Sequence, residues 1–161
     1  MTDRSGRSAA RLAAVQALYQ MELNGTGAEE TVFEFVEHRF GKEAETGMAG
    51  EVDSEFFGRL VHGVPEHQEE IDAGITKVLS ADWRLTRIDS ILRAILRAGA
   101  YELIACKDVP AKAVIDEYVE LSHAFFSGDE PSFVNAALDK MAHRKRAAEF
   151  GETPPEDELE F

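Results

Sequence analysis

The chain has 161 residues, a formal net charge of −14 and 44% apolar residues. That length supports one domain, or one domain made of two small bundles, and the single cysteine, Cys106, excludes an internal disulfide framework. The opening MTDRSGRSAARLAA lacks the apolar core of a signal peptide, and no uncharged apolar run reaches the ~20 residues that a membrane span needs; a cytoplasmic protein with no membrane contact is expected.

From Arg7 to Leu23 the spacing predicts a first helix with Leu12, Val15, Leu18 and Tyr19 on its apolar stripe. Followed backwards, the stripe turns basic: Arg4, Arg7 and Arg11 fall within about 60° of one another on the helical projection. The apolar end is expected in the core, with the arginine end overhanging in solvent. Clustered guanidiniums repel one another and oppose the helix dipole, so they are useful mainly when an anion arrives; a solvated helix start is the competing explanation. The acidic total does not exclude a local basic patch of this kind. Glu149, Glu152, Glu156, Asp157, Glu158 and Glu160 crowd the C-terminal segment, whereas the first 21 residues carry these arginines against Asp3 alone.

Asn24-Gly25-Thr26-Gly27 stops the first helix. Residues Glu29 to Phe40 predict a second, with Val32, Phe33, Val36 and Phe40 inward, and residues 41–52 a mobile loop. A third helix from Asp53 turns Phe56, Phe57, Leu60, Val61 and Val64 to the core. Pro65 then kinks it or opens a new helix carrying Ile71, Ile75, Val78 and Leu79. Trp83 and Leu85 are expected on a short turn.

The central packing helix is predicted over Arg87–Ile104, capped from Ser80, Asp82 or Thr86. Ile88, Ile91, Leu92, Ile95, Gly99 and Leu103 gather on one side, with Arg93 and Arg97 roughly opposite, and Gly99 lets a neighbour approach closely. Glu102 lies on the apolar side and needs a hydrogen-bonding or cationic partner. Ala113–Phe126 and a last helix with Phe133, Val134, Ala137, Leu138 and Met141 follow. Arg144, Lys145 and Arg146 complement the C-terminus of that last helix, and Asn135 near its start is expected to bond local backbone. Residues 1–148 thus read as one helical domain with residues 1–6 a flexible arm, and residues 149–161 as an acidic disordered tail.

No phosphate-binding glycine loop is present, and Glu120-Leu-Ser-His123 is a lone E-x-x-H where a di-metal bundle needs two. No catalysis, cofactor or metal is expected.

Four segments then occur in a specific order: Arg11-Leu-Ala-Ala-Val-Gln-Ala-Leu-Tyr19, Ile91-Leu-Arg-Ala-Ile-Leu-Arg-Ala-Gly-Ala-Tyr-Glu-Leu103, Val109-Pro110, and Phe133-Val-Asn-Ala-Ala-Leu-Asp139. Over about residues 7 to 143 the series resembles the NusB family of bacterial transcription antitermination factors. The resemblance implies an all-α fold of two small packed helical bundles without an active site. It also implies binding of single-stranded boxA-type nascent RNA together with a small-ribosomal-subunit protein, NusE. That assembly joins the RNA polymerase elongation complex with other Nus factors, notably on ribosomal RNA operons. Carried over by position, RNA contacts fall on Arg4, Arg7, Arg11, Gln16 and Tyr19, with Phe133 a weaker candidate. Two features depart from the family pattern: Ser8, Ala9 and Ala10 thin the basic run, and Ala136 stands where Gly is usual. With so few cations, weak RNA binding strengthened by NusE is expected. A similar fold serves as the N-terminal domain of certain ribosomal-RNA cytosine methyltransferases; with no cofactor-binding α/β pattern in these 161 residues, such an enzyme is not expected. The alternative function is a purely protein-binding helical scaffold, and both monomer and homodimer stay open.

Overall fold

The computed structural model describes residues 4–40, 52–80 and 84–158. The expected loop over 41–51, the candidate cap Asp82 and Trp83 therefore lie outside the described residues. All regular structure among the described residues is helical, and the chain divides into two compact units, Met1–Glu66 and His67–Phe161.

The first unit contains α1 (Arg4–Asn24), α2 (Ala28–Glu34) running into a π-helical turn (Phe35–Phe40), and α3 (Ser54–Glu66). Helix α1 begins at Arg4, so residues 4–6 belong to the helix and not to an arm. Gly25, at φ +70, ends it, donating its N–H to the Met21 carbonyl at 2.8 Å. The buried stripe of α1 is Ala10, Ala14, Val15, Ala17 and Leu18; small side chains here let α3 lie close. Leu12 and Tyr19, expected on that stripe, are only half-buried. In α2 the expected inward Phe33 points out, 63% exposed, while Thr31 and, in the π turn, Phe35 point in. The wider π turn sets Phe40 beside Phe35, and both meet the α3 ring of Phe57 at centroid distances of 5.0 and 5.4 Å. Phe56, Phe57, Leu60, Val61 and Val64 are buried as the periodicity predicts. Pro65 sits in the last turn of α3, and the break falls at His67.

The second unit contains α4 (Gln68–Val78), a 3₁₀ turn (Leu85–Arg87), α5 (Ser90–Ala105), α6 (Ala111–Ser122), α7 (Glu130–Lys145) and 3₁₀ turns at Ala147–Phe150 and Glu156–Glu158. Helix α5 is the central one, packed by α4, α6 and α7. It starts later than predicted because Asp89 is its cap: the carboxylate accepts from the Ile91 and Leu92 N–H groups at 2.8 and 3.2 Å. A β-carbon on Gly99 would lie 2.9 Å from Leu138 Cδ1 of α7, so the missing side chain is what admits that helix. Glu102 is fully buried and accepts from the Tyr118 hydroxyl of α6, the structural pairing its position demanded. Arg97 forks onto Asp72 of α4 through two 2.9 Å bonds. Arg93 is not opposite the core: it is buried, and its guanidinium holds the Leu85 and Ile88 carbonyls at 3.1 and 3.0 Å. Asn135 is exposed, so it poses no burial problem.

Candidate nucleic-acid interface

The candidate surface is the N-terminal half of α1, and α3 decides its form. Asp53 caps α3 through the Phe56 N–H at 3.0 Å and gives its own N–H to the Gly6 carbonyl at 3.1 Å. This ties the first turn of α3 to the first turn of α1 and sets the Phe56 ring under the arginines. The Arg7 and Arg11 guanidiniums lie 4.6 and 5.1 Å from the centroid of that one ring, each contact worth about 0.5–2 kcal/mol. The expected solvent overhang is therefore corrected. Arg7 is half-buried and Arg11 only 3% exposed, because the basic face continues the inward face of α1 and meets an aromatic ring instead of ending in water.

What α1 presents outward is a different set. Ser8, Leu12, Gln16 and Tyr19 recur at helical spacing; Gln16 is exposed and the other three half-buried. A tyrosine with one side packed and a neighbouring exposed amide offers a stacking plane and a hydrogen-bonding group. Arg4 lies in the first turn of α1. At the far end of this helix the Arg39 guanidinium, held 4.2 Å over the Phe35 ring, donates to the Gln20 amide oxygen at 3.1 Å. Phe133 belongs to the second unit, half-buried in the first turn of α7. Ala136, on the same helix, is exposed, so a methyl group there meets no close packing.

Sequence periodicity missed Phe56 as the platform for Arg7 and Arg11. It missed equally what the basic group ending α7 does. Arg146 does not serve its own helix dipole. Its guanidinium is buried and donates to the carbonyls of Leu103, Val109, Cys106 and Glu102 at 2.7, 2.9, 2.9 and 3.1 Å, closing the C-terminal end of α5. The fifth donor bonds Glu149, whose other oxygen accepts the Ala111 N–H at 2.9 Å and so starts α6, where Pro110 has no capping side chain. That backbone hydrogen bond, followed by Arg146, holds the Glu149 carboxyl below the usual glutamate range. Arg144 and Lys145 pair with Asp157 and Glu158. The acidic segment, expected to be disordered, thus folds back through Glu158 because the second unit supplies the counter-charges.

No helix among the described residues is long and apolar enough to cross a membrane. Compared with known proteins, residues 8–143 match the NusB family. The chain is 53% identical over 144 residues to the transcription antitermination protein NusB of Maricaulis maris (strain MCS10), covering 89% of this chain and 90% of that protein. Its fold is similar to that of T. maritima NusB, with a TM-score of 0.72, 28% identity and full coverage of both chains. It is also similar to a structure of antitermination factors NusB and NusE in complex with dsRNA, at a TM-score of 0.68 and 28% identity, covering 87% of this chain and 98% of that one.

Proposed function

The chain belongs to the NusB family, and from that membership we propose that it is a transcription antitermination factor acting as a non-catalytic adaptor. It binds boxA-type single-stranded RNA together with the small-ribosomal-subunit protein NusE and carries both to the elongation complex. The observation that carries the RNA contact is the outward face of α1, where Gln16 and Tyr19 stand exposed or half-exposed on the helix whose start carries Arg4, Arg7 and Arg11. Unpaired bases stack on such a tyrosine and take hydrogen bonds from such an amide, while arginine meets phosphate. Arg7 is the phosphate contact in this arrangement. Arg11, buried over Phe56, is a positioning residue, and Phe133 is left with the weaker share it has from the family resemblance.

The protein-only scaffold has one observation in its favour: Leu23 and Phe33 of the first unit are 68% and 63% exposed, the kind of apolar surface that a protein partner covers. Fluorescence anisotropy separates the two. A labelled boxA-like strand and its duplex are titrated with this chain, with and without NusE, across a salt series. Binding that prefers the single strand, tightens with NusE, and falls on Arg7→Glu and on Tyr19→Ala supports the adaptor. Affinity indifferent to both substitutions, with NusE binding intact, assigns the protein to scaffolding.

A further inference from the structure

Two adjacent carboxylates of the C-terminal segment bridge three cations from two helices. Asp157 Oδ2 lies 3.1 Å from Lys77 Nζ of α4 and also takes Arg144 Nη2 of α7. Glu158 takes Arg144 Nε at 3.0 Å and Lys145 Nζ at 2.7 Å. Beneath them is a cavity of about 560 Å³ that Lys107 also lines. Burial, then the nearby Arg146, lowers the pKa of Lys107.

The segment that covers these cations is held by charge. Residues 151–158 bring no buried apolar side chain; the Asp157 side chain is 48% exposed and that of Glu158 8%. Its exposed Asp157 contacts are screened by salt, its Glu158 contacts less so, and a polyanion that matches both can take their place. Its geometry also says which polyanion. The Arg144 fork takes one oxygen from each of two side chains, whereas one phosphodiester presents both oxygens to Nε and Nη2 from a single group. Lys77 shares Asp157 with the fork and Lys145 shares Glu158, a set of three cations that suits successive phosphates of a strand better than a lone ion.

We propose that Lys77, Arg144 and Lys145 form a second phosphate-binding surface for RNA, and that the acidic segment Glu152–Glu158 occupies it as a tethered competitor. The tether keeps the competitor at high local concentration, so a polyanion that engages several of the cations at once displaces it more readily than isolated ions do. The inference rests on the RNA-binding reading above.

The test uses the full chain and the same labelled single-stranded RNA. Asp157→Asn with Glu158→Gln removes the competitor's charge, and Glu29→Gln with Glu30→Gln, exposed acids of α2, makes the same change in net charge elsewhere. The tail variant is expected to bind several-fold more tightly than the control, with a salt slope steeper by roughly 0.7 for each phosphate gained. Adding Lys77→Gln and Lys145→Gln to the tail variant should abolish the gain. Equal affinity and slope for tail variant and control overturns the proposal. So does a gain for a labelled acidic peptide without one for RNA, which would make the patch a protein-docking surface. Failure of the α1 reading shows separately, as RNA binding by the unaltered chain that ignores Arg7→Glu and Tyr19→Ala. RNA binding by no variant removes both.

Discussion

The chain carries two groups of arginine and lysine at helix ends, and they are covered by opposite chemistry. At the start of α1, Arg7 and Arg11 lie over the Phe56 ring. At the end of α7, Arg144 and Lys145 lie under Asp157 and Glu158, and Arg146 is sunk among backbone carbonyls. A ring fixes a guanidinium's position and supplies no counter-charge; a carboxylate supplies both position and neutralisation. Basic residues at a helix end therefore say little about function until their cover is known. In the first group Arg7 is half-buried and Arg11 buried over the ring; the second serves structure at Arg146 and exchange at Arg144 and Lys145.

The sharpest way to break this comparison is Arg146→Ala. The buried carbonyls of Leu103 and Val109 lose the guanidinium, and those of Glu102 and Cys106 keep only their backbone donors, which together costs about 3 kcal/mol. Thermal unfolding followed by circular dichroism should show a midpoint lower by about 10 °C. Lysine at that position should recover only part, because its compact ammonium cannot reproduce a planar five-donor fork. An unchanged midpoint would deny Arg146 its structural part. Phe56→Leu comes next. It keeps an apolar side chain and removes the π face, so a loss of about 1–2 kcal/mol in urea unfolding is expected. RNA affinity should fall with it, because the guanidiniums lose their platform; a stable protein with full affinity would show that the ring does not position them.

Smaller effects sharpen the contrast. Raising salt from about 0.1 M to about 1 M shortens the screening length from roughly 10 to 3 Å. Amide hydrogen exchange should then quicken over residues 152–158 and stay unchanged around Arg7 and Phe56. Least in size is a pH effect confined to the second unit. His143 hydrogen-bonds Glu152 and stacks on Phe150 at a centroid distance of 4.0 Å. The Glu152 hydrogen bond, against some desolvation and with help from Asp139, raises its pKa above the ordinary 6.5. A raised folded-state value means that the contribution is fully present below the ordinary pKa and is lost as pH rises through the raised one. Glu149 works the other way: its lowered value gives a contribution present above the ordinary carboxylate range and lost as pH falls. NMR titration should therefore show the Phe150–Glu152 amides shifting at a pH above the ordinary histidine value of 6.5, and His143→Gln should flatten that response.

Much of the helical plan is legible from residue order alone. The apolar faces of α3, α5 and α7 follow from spacing, the role of Gly99 from its place on an apolar face, and the partner of Glu102 from the penalty for burying a carboxylate alone. The candidate site is less legible. Arg7, Gln16 and Tyr19 can be picked from α1 by family resemblance, but the local pattern puts Leu12 and Tyr19 deeper, and Arg11 further out, than they stand. The reason is the number of alanines. Ala10, Ala14 and Ala17 carry too little side chain to dominate a projection, yet their smallness is what lets α3 approach and turns that face inward.

Residue order by itself determined which stretches become helices and, in α3 and α7, which side is apolar, because both depend on neighbours three and four positions away. It also placed cations at two helix ends and acids at the C-terminus. Only the tertiary structure decided what covers those charges. Phe56 reaches Arg11, Glu102 and Val109 carbonyls reach Arg146, and Asp157 reaches Lys77 across long stretches of chain. No local period encodes such meetings. They arise when packed helices bring their ends together, and the burial that packing creates makes each charge take the partner within reach.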